Sequence, residues 1–246
     1  MDKQQQSWGK LLKYYRQKKK LKQDEVATGL CTPSYLSRIE NGIVIAEYAL
    51  YEQLFAKLNI DFSSLQHDIS EHTAFMEAVY EKLLSNGAIA ESDRELLSTL
   101  MQNEYSVELQ ITAKLIYSRY LYSIKEDMDA RKLLNEIKPV VSWKKDRITE
   151  LFVSITAFGH LSFMEFDLLA KKEQQEQHAQ YLSNAHPFEL ANYHYHIAFA
   201  NHRSYQFQKA LQHIELAAHY FTHQFKPLFQ LKLYSMKGVI FNDMHR

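Results

Sequence analysis

The chain is poor in residues that make tight turns or covalent staples. Its 246 residues hold only six Gly, four Pro and one Cys. Such scarcity argues against folds that turn often or cradle phosphates in glycine-rich loops, such as sandwiches and dinucleotide-binding sheets. A lone cysteine, Cys31, excludes an internal disulfide and fits a reducing compartment. It sits in a short turn, where a small apolar side chain packs well, and is read as structural. No N-terminal apolar run resembles a signal peptide, and no stretch approaches a membrane span. The expectation is a soluble cytoplasmic protein without a membrane partner. Neither charge is in excess, since 29 basic residues balance 29 acidic ones. What is present is an ordinary globular composition, 46% apolar and 24% charged, and an all-α fold suits it best.

The balanced charge is unevenly placed. Residues 1–45 carry nine cations against four anions, which makes the head +5 and the remainder −5. A basic head on an acidic body points to one module that binds a polyanion and one that does something else. Lys18, Lys19 and Lys20 also suit a helix C-terminus, and the two readings are compatible.

Within the head, residues 22–42 (KQDEVATGLCTPSYLSRIENG) read as a short helix, a tight turn and a second helix. Thr32 is placed to be the N-cap, Pro33 fits the first helical position, and Gly42 can end the helix in a left-handed conformation. Leu36 and Ile39 face inward. Ser34, Ser37, Arg38 and Asn41 share the opposite face at helical spacing. An apolar anchor behind a short polar, cationic face suits the DNA major groove. Arg38 has two chemistries open to it, a bidentate contact to guanine or a contact to phosphate. Tyr35, next to Leu36, is half core.

Around this pair, residues 7–19 read as a helix with Trp8, Leu11, Leu12 and Tyr15 on its apolar side. Residues 46–58 read as a helix burying Leu50, Leu54 and Leu58, with Tyr51 and Phe55 flanking. A short helix over 62–70 completes a five-helix domain. Separate helices follow over 71–85 and from the capping-box pattern Ser92-Asp93-Arg94-Glu95. From about 106 the chain repeats with a period near 40. Leading helices at 107–124, 146–161, 187–202 and 226–243 alternate with partners at 127–141, 163–182 and 204–223. Ala130 and Ala210 match between partners, as do Asn201 and Asn242 between leading helices. Paired helices at this period predict an α-solenoid of helical hairpins. The second partner, through KKEQQEQHAQ, is expected to be mostly exposed. Because the last leading helix lacks a partner and 228–241 is strongly apolar, the natural chain is expected to continue beyond Arg246.

Other features carry bland expectations. Eight histidines lie between His178 and His223, and His219 and His223 stand at i, i+4. No HExxH or CxxC pattern accompanies them, so surface histidines are expected and no metal site. The aromatics are first of all core, with some free to line a groove. There is no P-loop or nucleophile elbow, and the carboxylates are scattered as on solvated helix faces. No catalytic residue and no cofactor is expected.

The run GLCTPSYLSRIENG resembles the Xre (lambda-repressor-like) helix-turn-helix family, and its SYLSRIENG ending the Rgg/PlcR-like branch of peptide-sensing quorum-sensing regulators. The similarity is strong over residues 8–60, while the repeats agree in architecture. It implies an all-α protein with a five-helix DNA-binding domain at 1–66, a linker and first hairpin at 67–105, and tetratricopeptide-like (TPR-like) repeats at 106–246. By that resemblance Gln23 contacts the DNA backbone and braces the recognition helix. Thr32, Ser34, Tyr35, Ser37 and Arg38 fall at the DNA, and Arg16 pairs structurally with Glu40. Asn201 and Asn242, with Asn192 behind them, are the candidates for holding the main chain of a short signalling peptide. One departure is the loop Ile43-Val44-Ile45, where the family often has polar or basic residues. Phosphate contacts are not expected from it, and it is expected to pack against another part of the protein.

These readings converge on a transcription regulator that binds an inverted-repeat operator as a homodimer under control of a bound peptide. Two other readings stay open. One is a repeat scaffold for a partner protein with a DNA-localising head, the other a phage-type repressor under peptide control.

Overall fold

The structure, a computed structural model, describes residues 3–102, 106–176, 178–221 and 226–244. Among these residues the regular elements are thirteen α-helices and two short 3-10 segments. No described helix is long and apolar enough to cross a membrane. The chain divides into two compact units, Met1–Phe75 with Asn103–Leu109, and Met76–Gln102 with Gln110–Arg246.

The first unit is built from α1 (Lys3–Lys18), α2 (Gln23–Ala27), α3 (Pro33–Glu40), α4 (Tyr48–Lys57) and the start of α5 (Phe62–Asn86). Leu12, Leu36, Ile39, Leu54, Phe55 and Leu58 are all completely buried in its core. Trp8 meets Phe62 edge-on at 5.1 Å, and Phe62 stacks on Phe55 at 4.7 Å. On α4 the core stripe is Tyr51, Leu54, Phe55 and Leu58, at i, i+3, i+4 and i+7, while Leu50 is only half-buried. The expected ranking of Leu50 over Tyr51 and Phe55 is thus corrected. The aromatic rings extend the stripe, and Leu50 lies at its edge. Gly9 is needed where α1 crosses the end of α3, because a β-carbon there would stand 2.0 Å from the Ile39 carbonyl oxygen.

Helix α5 corrects another expectation. Residues 62–70 and 71–85 form one helix, Phe62–Asn86. The polar stretch between them has no Gly or Pro to stop the helix, which ends only at Gly87 with φ +69°. The expected capping box at 92–95 is also absent. Helix α6 (Glu91–Leu100) starts two residues earlier than a Ser92 cap would set it, after Ala90, with no side-chain cap. The acidic side chains are engaged elsewhere, Asp93 with Lys82 at 2.8 Å and Glu91 with Arg94.

The rest of the second unit comprises α7 (Val107–Ser123, belonging to it from Gln110), α8 (Asp127–Ile137), α9 (Arg147–Ser162), α10 (Phe166–Glu176), α11 (Pro187–Arg203), α12 (Phe207–Tyr220) and α13 (Pro227–Met244). Three turns repeat the same geometry. Lys125, Met164 and Tyr205 hold φ of +69°, +57° and +58°. The next residue's N–H reaches back to the carbonyl five before it, from Glu126 to Leu121, Glu165 to His160 and Gln206 to Asn201. This is the Schellman closure of a helix end, with an ordinary residue where glycine is usual. Ala170 joins Ala130 and Ala210 as a third completely buried alanine, so the spacing is 40 residues twice over. Met164 is 76% exposed. Met164→Gly is therefore expected to stabilise the unit by up to about 1 kcal/mol, seen as a raised urea midpoint. A lowered midpoint would show that the turn is not strained.

The second partner helix departs from expectation. It stops at Glu176, and His178–Leu182 forms a separate 3-10 segment. Lys172 and Glu173 within it are half-buried, and Glu173 accepts a hydrogen bond from the Tyr193 hydroxyl. Helix α11 is enclosed between two apolar clusters. Phe188, Ala191 and Ala198 meet α12 and α13, while Tyr193, Ile197 and Ala200 meet α9 and α10.

Candidate nucleic-acid interface

Helix α3 is set by local chemistry at both ends. The Thr32 hydroxyl oxygen accepts the Tyr35 N–H at 3.2 Å, and Pro33 occupies the first turn. At the other end Gly42 holds φ +68°. Its N–H donates to Ile39, and the Ile43 N–H donates to Arg38, both at 2.9 Å. Leu36 and Ile39 anchor the inner face. Ser34 and Arg38 are exposed, and Tyr35 and Ser37 are half-buried. Arg38 makes no side-chain hydrogen bond or ion pair among the described residues, so its guanidinium is free for an outside acceptor. Asn41 is tied down by Lys13, whose ammonium donates to its side-chain oxygen at 3.0 Å.

Behind this face lies a hub that fixes the helix. Glu40, 1% exposed, receives Arg16 Nε at 2.6 Å on one oxygen and Arg16 Nη2 at 2.7 Å on the other. Gln23 Nε2 donates to the second oxygen at 2.8 Å, and Arg16 Nη1 donates to the Leu21 carbonyl at 2.9 Å. The hydrogen bond to Glu40 raises the Arg16 pKa against the pull of burial. One carboxylate thus ties α1, α2 and α3 together, and the two-point fork admits a single orientation. Gln23 is half-buried. The Lys13 and Leu21 contacts went unread in the sequence, since nothing local marks them. Ile43 does not pack away as expected but is 68% exposed, with Val44 and Ile45 half-buried. The Gly42 turn directs it outward.

The asparagines of the second unit are placed differently from one another. Asn192 and Asn201 are buried, and each amide donates to a carbonyl four residues back, Phe188 at 2.8 Å and Ile197 at 2.9 Å. The Asn201 side-chain oxygen is buried without a hydrogen-bond partner. Asn242 is exposed and reaches only Asp243, at 3.4 Å. The three make no hydrogen bond to one another.

The second unit also has a polar interior where solvated faces and surface histidines were expected. Glu150 and Glu189 are 3% and 1% exposed. Arg147 holds Glu77 through two bonds of 2.6 and 2.7 Å, and Glu189 at 2.7 Å. Burial still raises the Glu189 pKa. Arg119 is buried with its guanidinium 3.5 Å from the Phe158 ring centre, and burial brings its pKa down to about 10. His194 and His196 are 5% and 6% exposed. Burial, then the neighbouring His213, lowers His194 to about 4, and burial, then Arg119 and Lys232, lowers His196 to about 3. Both lie on the enclosed helix α11, which explains the correction. Among the described residues no three His, Cys, Asp or Glu converge as metal ligands. His223, half of the i, i+4 histidine pair, lies outside the described residues.

Residues 12–65 match the family described as Helix-turn-helix. Comparison with curated protein sequences returns no match. Among solved structures, the chain is similar to the crystal structure of Bacillus thuringiensis PlcR in complex with the peptide PapR7 and DNA. The two are 19% identical over 98% of this chain and 88% of that one, with a TM-score of 0.46. Residues 12–65 of this chain are thus similar to the helix-turn-helix family.

Proposed function

We propose that the protein is a sequence-specific transcription regulator whose helix α3 enters the major groove and whose C-terminal helices answer a short signalling peptide. The observation that carries the DNA part is the pairing of an uncommitted, exposed Arg38 and Ser34 with the rigid Arg16–Glu40–Gln23 brace behind them. A reading helix must present its side chains without paying to order them, and this brace does so. Gln23 and Thr32 stand at the helix starts that meet the backbone, and Tyr35 and Ser37 flank the groove face. So short a reading surface specifies a long site only in duplicate. Hence the proposal includes a homodimer on an inverted-repeat operator.

The peptide part rests on the sequence resemblance and on the 40-residue recurrence of turns and buried alanines. That recurrence supports a TPR-like solenoid over 106–246, following a head at 1–66 and a connecting segment at 67–105. In this reading Asn201, whose side-chain oxygen lacks a partner, meets the peptide main chain, with Asn192 and Asn242 as its neighbours. Peptide binding shifts the balance between two dimer arrangements only if it binds them with unequal affinity. The setting proposed is the cytoplasm.

Arg38→Ala tests the DNA part. Titration of labelled DNA by fluorescence anisotropy should show a loss of about 1–3 kcal/mol, selective for the operator. Equal loss on operator and random DNA would make Arg38 a phosphate contact. Calorimetric titration with synthetic oligopeptides tests the rest. Tight capture of a folded partner with no peptide bound would favour the scaffold reading instead.

A further inference from the structure

A cleft of about 510 Å³ opens within the second unit between α8, α9 and α10, and none of its lining residues is assigned above to DNA or peptide. That volume is in the range of small-molecule sites. One end is aromatic. Trp143 stands edge-on to Phe152 at 5.9 Å and lies over His178 at 6.1 Å with the rings 26° apart. Trp143 is 40% exposed and holds φ +51°, a left-handed backbone rarely adopted by a bulky residue. Strain of this kind, kept beside a cavity, is a pointer to function.

The other end is cationic. Arg131 Nη2 donates to Glu165 Oε2 at 2.8 Å, His160 Nδ1 contacts the same oxygen at 2.6 Å, and Lys172 Nζ contacts His160 Nε2 at 3.2 Å. For Lys172 to donate to Nε2, His160 must be neutral with its hydrogen on Nδ1. Burial, the main influence on His160, lowers its pKa and favours that form. Among the described residues Glu165 is the one carboxylate lining the cleft, against Arg131, Lys138 and Lys172. The Thr156 hydroxyl, also in the lining, is buried without a hydrogen-bond partner. Two turns of α8 separate Arg131 from Lys138, roughly 10 Å.

We propose that this cleft binds a small planar organic anion of the size of a nucleoside monophosphate. Its ring lies against Trp143 and Phe152, its phosphate or carboxylate meets Arg131 and Lys172, and the Thr156 hydroxyl bonds the part between. The proposal does not rest on the DNA or peptide reading, and either can fail alone.

The test is a tryptophan-fluorescence titration of the full chain with adenosine monophosphate, with benzoate as the carboxylate arm and inorganic phosphate as the ringless arm. Saturable quenching by the first or second is expected, absent in Trp143→Phe, where only Trp8 reports. Arg131→Gln and Lys172→Gln should each raise Kd about tenfold, one charged contact's worth, with circular dichroism unchanged. Which arm binds tighter identifies the acid group. Three outcomes overturn the proposal: no saturable response at millimolar ligand, a response that survives Trp143→Phe, or inorganic phosphate binding as tightly as the ringed ligands. If Lys172→Gln fails to fold, Arg131→Gln with calorimetry decides, and an unchanged Kd there also overturns it.

Discussion

Glu40→Ala is expected to destabilise the N-terminal unit by about 3–5 kcal/mol, the usual result of stripping one partner from a buried ion pair. The loss is large because three donors converge on that carboxylate. Arg16 would keep a nearly buried guanidinium with only the Leu21 carbonyl to accept from it, and Gln23 would lose its brace. For a small domain this approaches its whole stability. Urea denaturation followed by circular dichroism should show an early transition in the variant that is absent in the parent. Arg16→Met combined with Glu40→Leu should recover much of the loss, because removing both charges leaves nothing buried unpaired. The proposed DNA binding need not return with it, since the fork that orients α3 would be gone. If Glu40→Ala cost less than about 1 kcal/mol, as surface pairs do, the hub would not be what holds α3 in place.

Acid should weaken the second unit as pH falls through the ordinary histidine range. His194 and His196 have folded pKa values near 4 and 3, below the 6.5 of an unconstrained histidine. The sign follows directly. Above pH 6.5 both states are neutral and stability is level. Below it the unfolded chain takes up protons that the folded unit refuses, so stability falls as pH drops toward the folded values. By pH 5 the two together should remove on the order of 4 kcal/mol. His213, whose Nδ1 lies 3.0 Å from that of His194 and which burial lowers to about 4, adds in the same direction. Urea midpoints between pH 7 and pH 5 test this. His196→Phe, which can still pack on the Phe158 ring 5.2 Å away, should flatten the slope. A slope identical in parent and variant would remove His196 from the account.

The legible parts of this protein are those decided within a few residues. Thr32, Pro33 and Gly42 bound α3 by capping and backbone conformation alone. Leu36 and Ile39 show their inward face by spacing. The 40-residue recurrence is visible in Ala130 and Ala210, and the buried Ala170 is its third member. Helix α5 reads as two helices when only local polarity is weighed, because polar residues in mid-helix look like a loop. The burial of Tyr51 and Phe55 depends on Trp8, at the other end of the domain's sequence, and on Phe62, beyond the end of their own helix.

By itself, then, the sequence determined the helical class, the limits of the reading helix, the basic head and the hairpin period, since each depends on propensity, capping or periodicity. Tertiary structure alone decided which charges are buried and with whom. Nothing near Glu189 foretells Arg147, 42 residues earlier, or joins Glu77 to that same arginine, 70 residues on. Desolvation is a property of the packed surroundings and not of the residue. For that reason the hub at Glu40 could be anticipated only through resemblance, and the neutral histidines of α11 and the cleft beside Trp143 not at all.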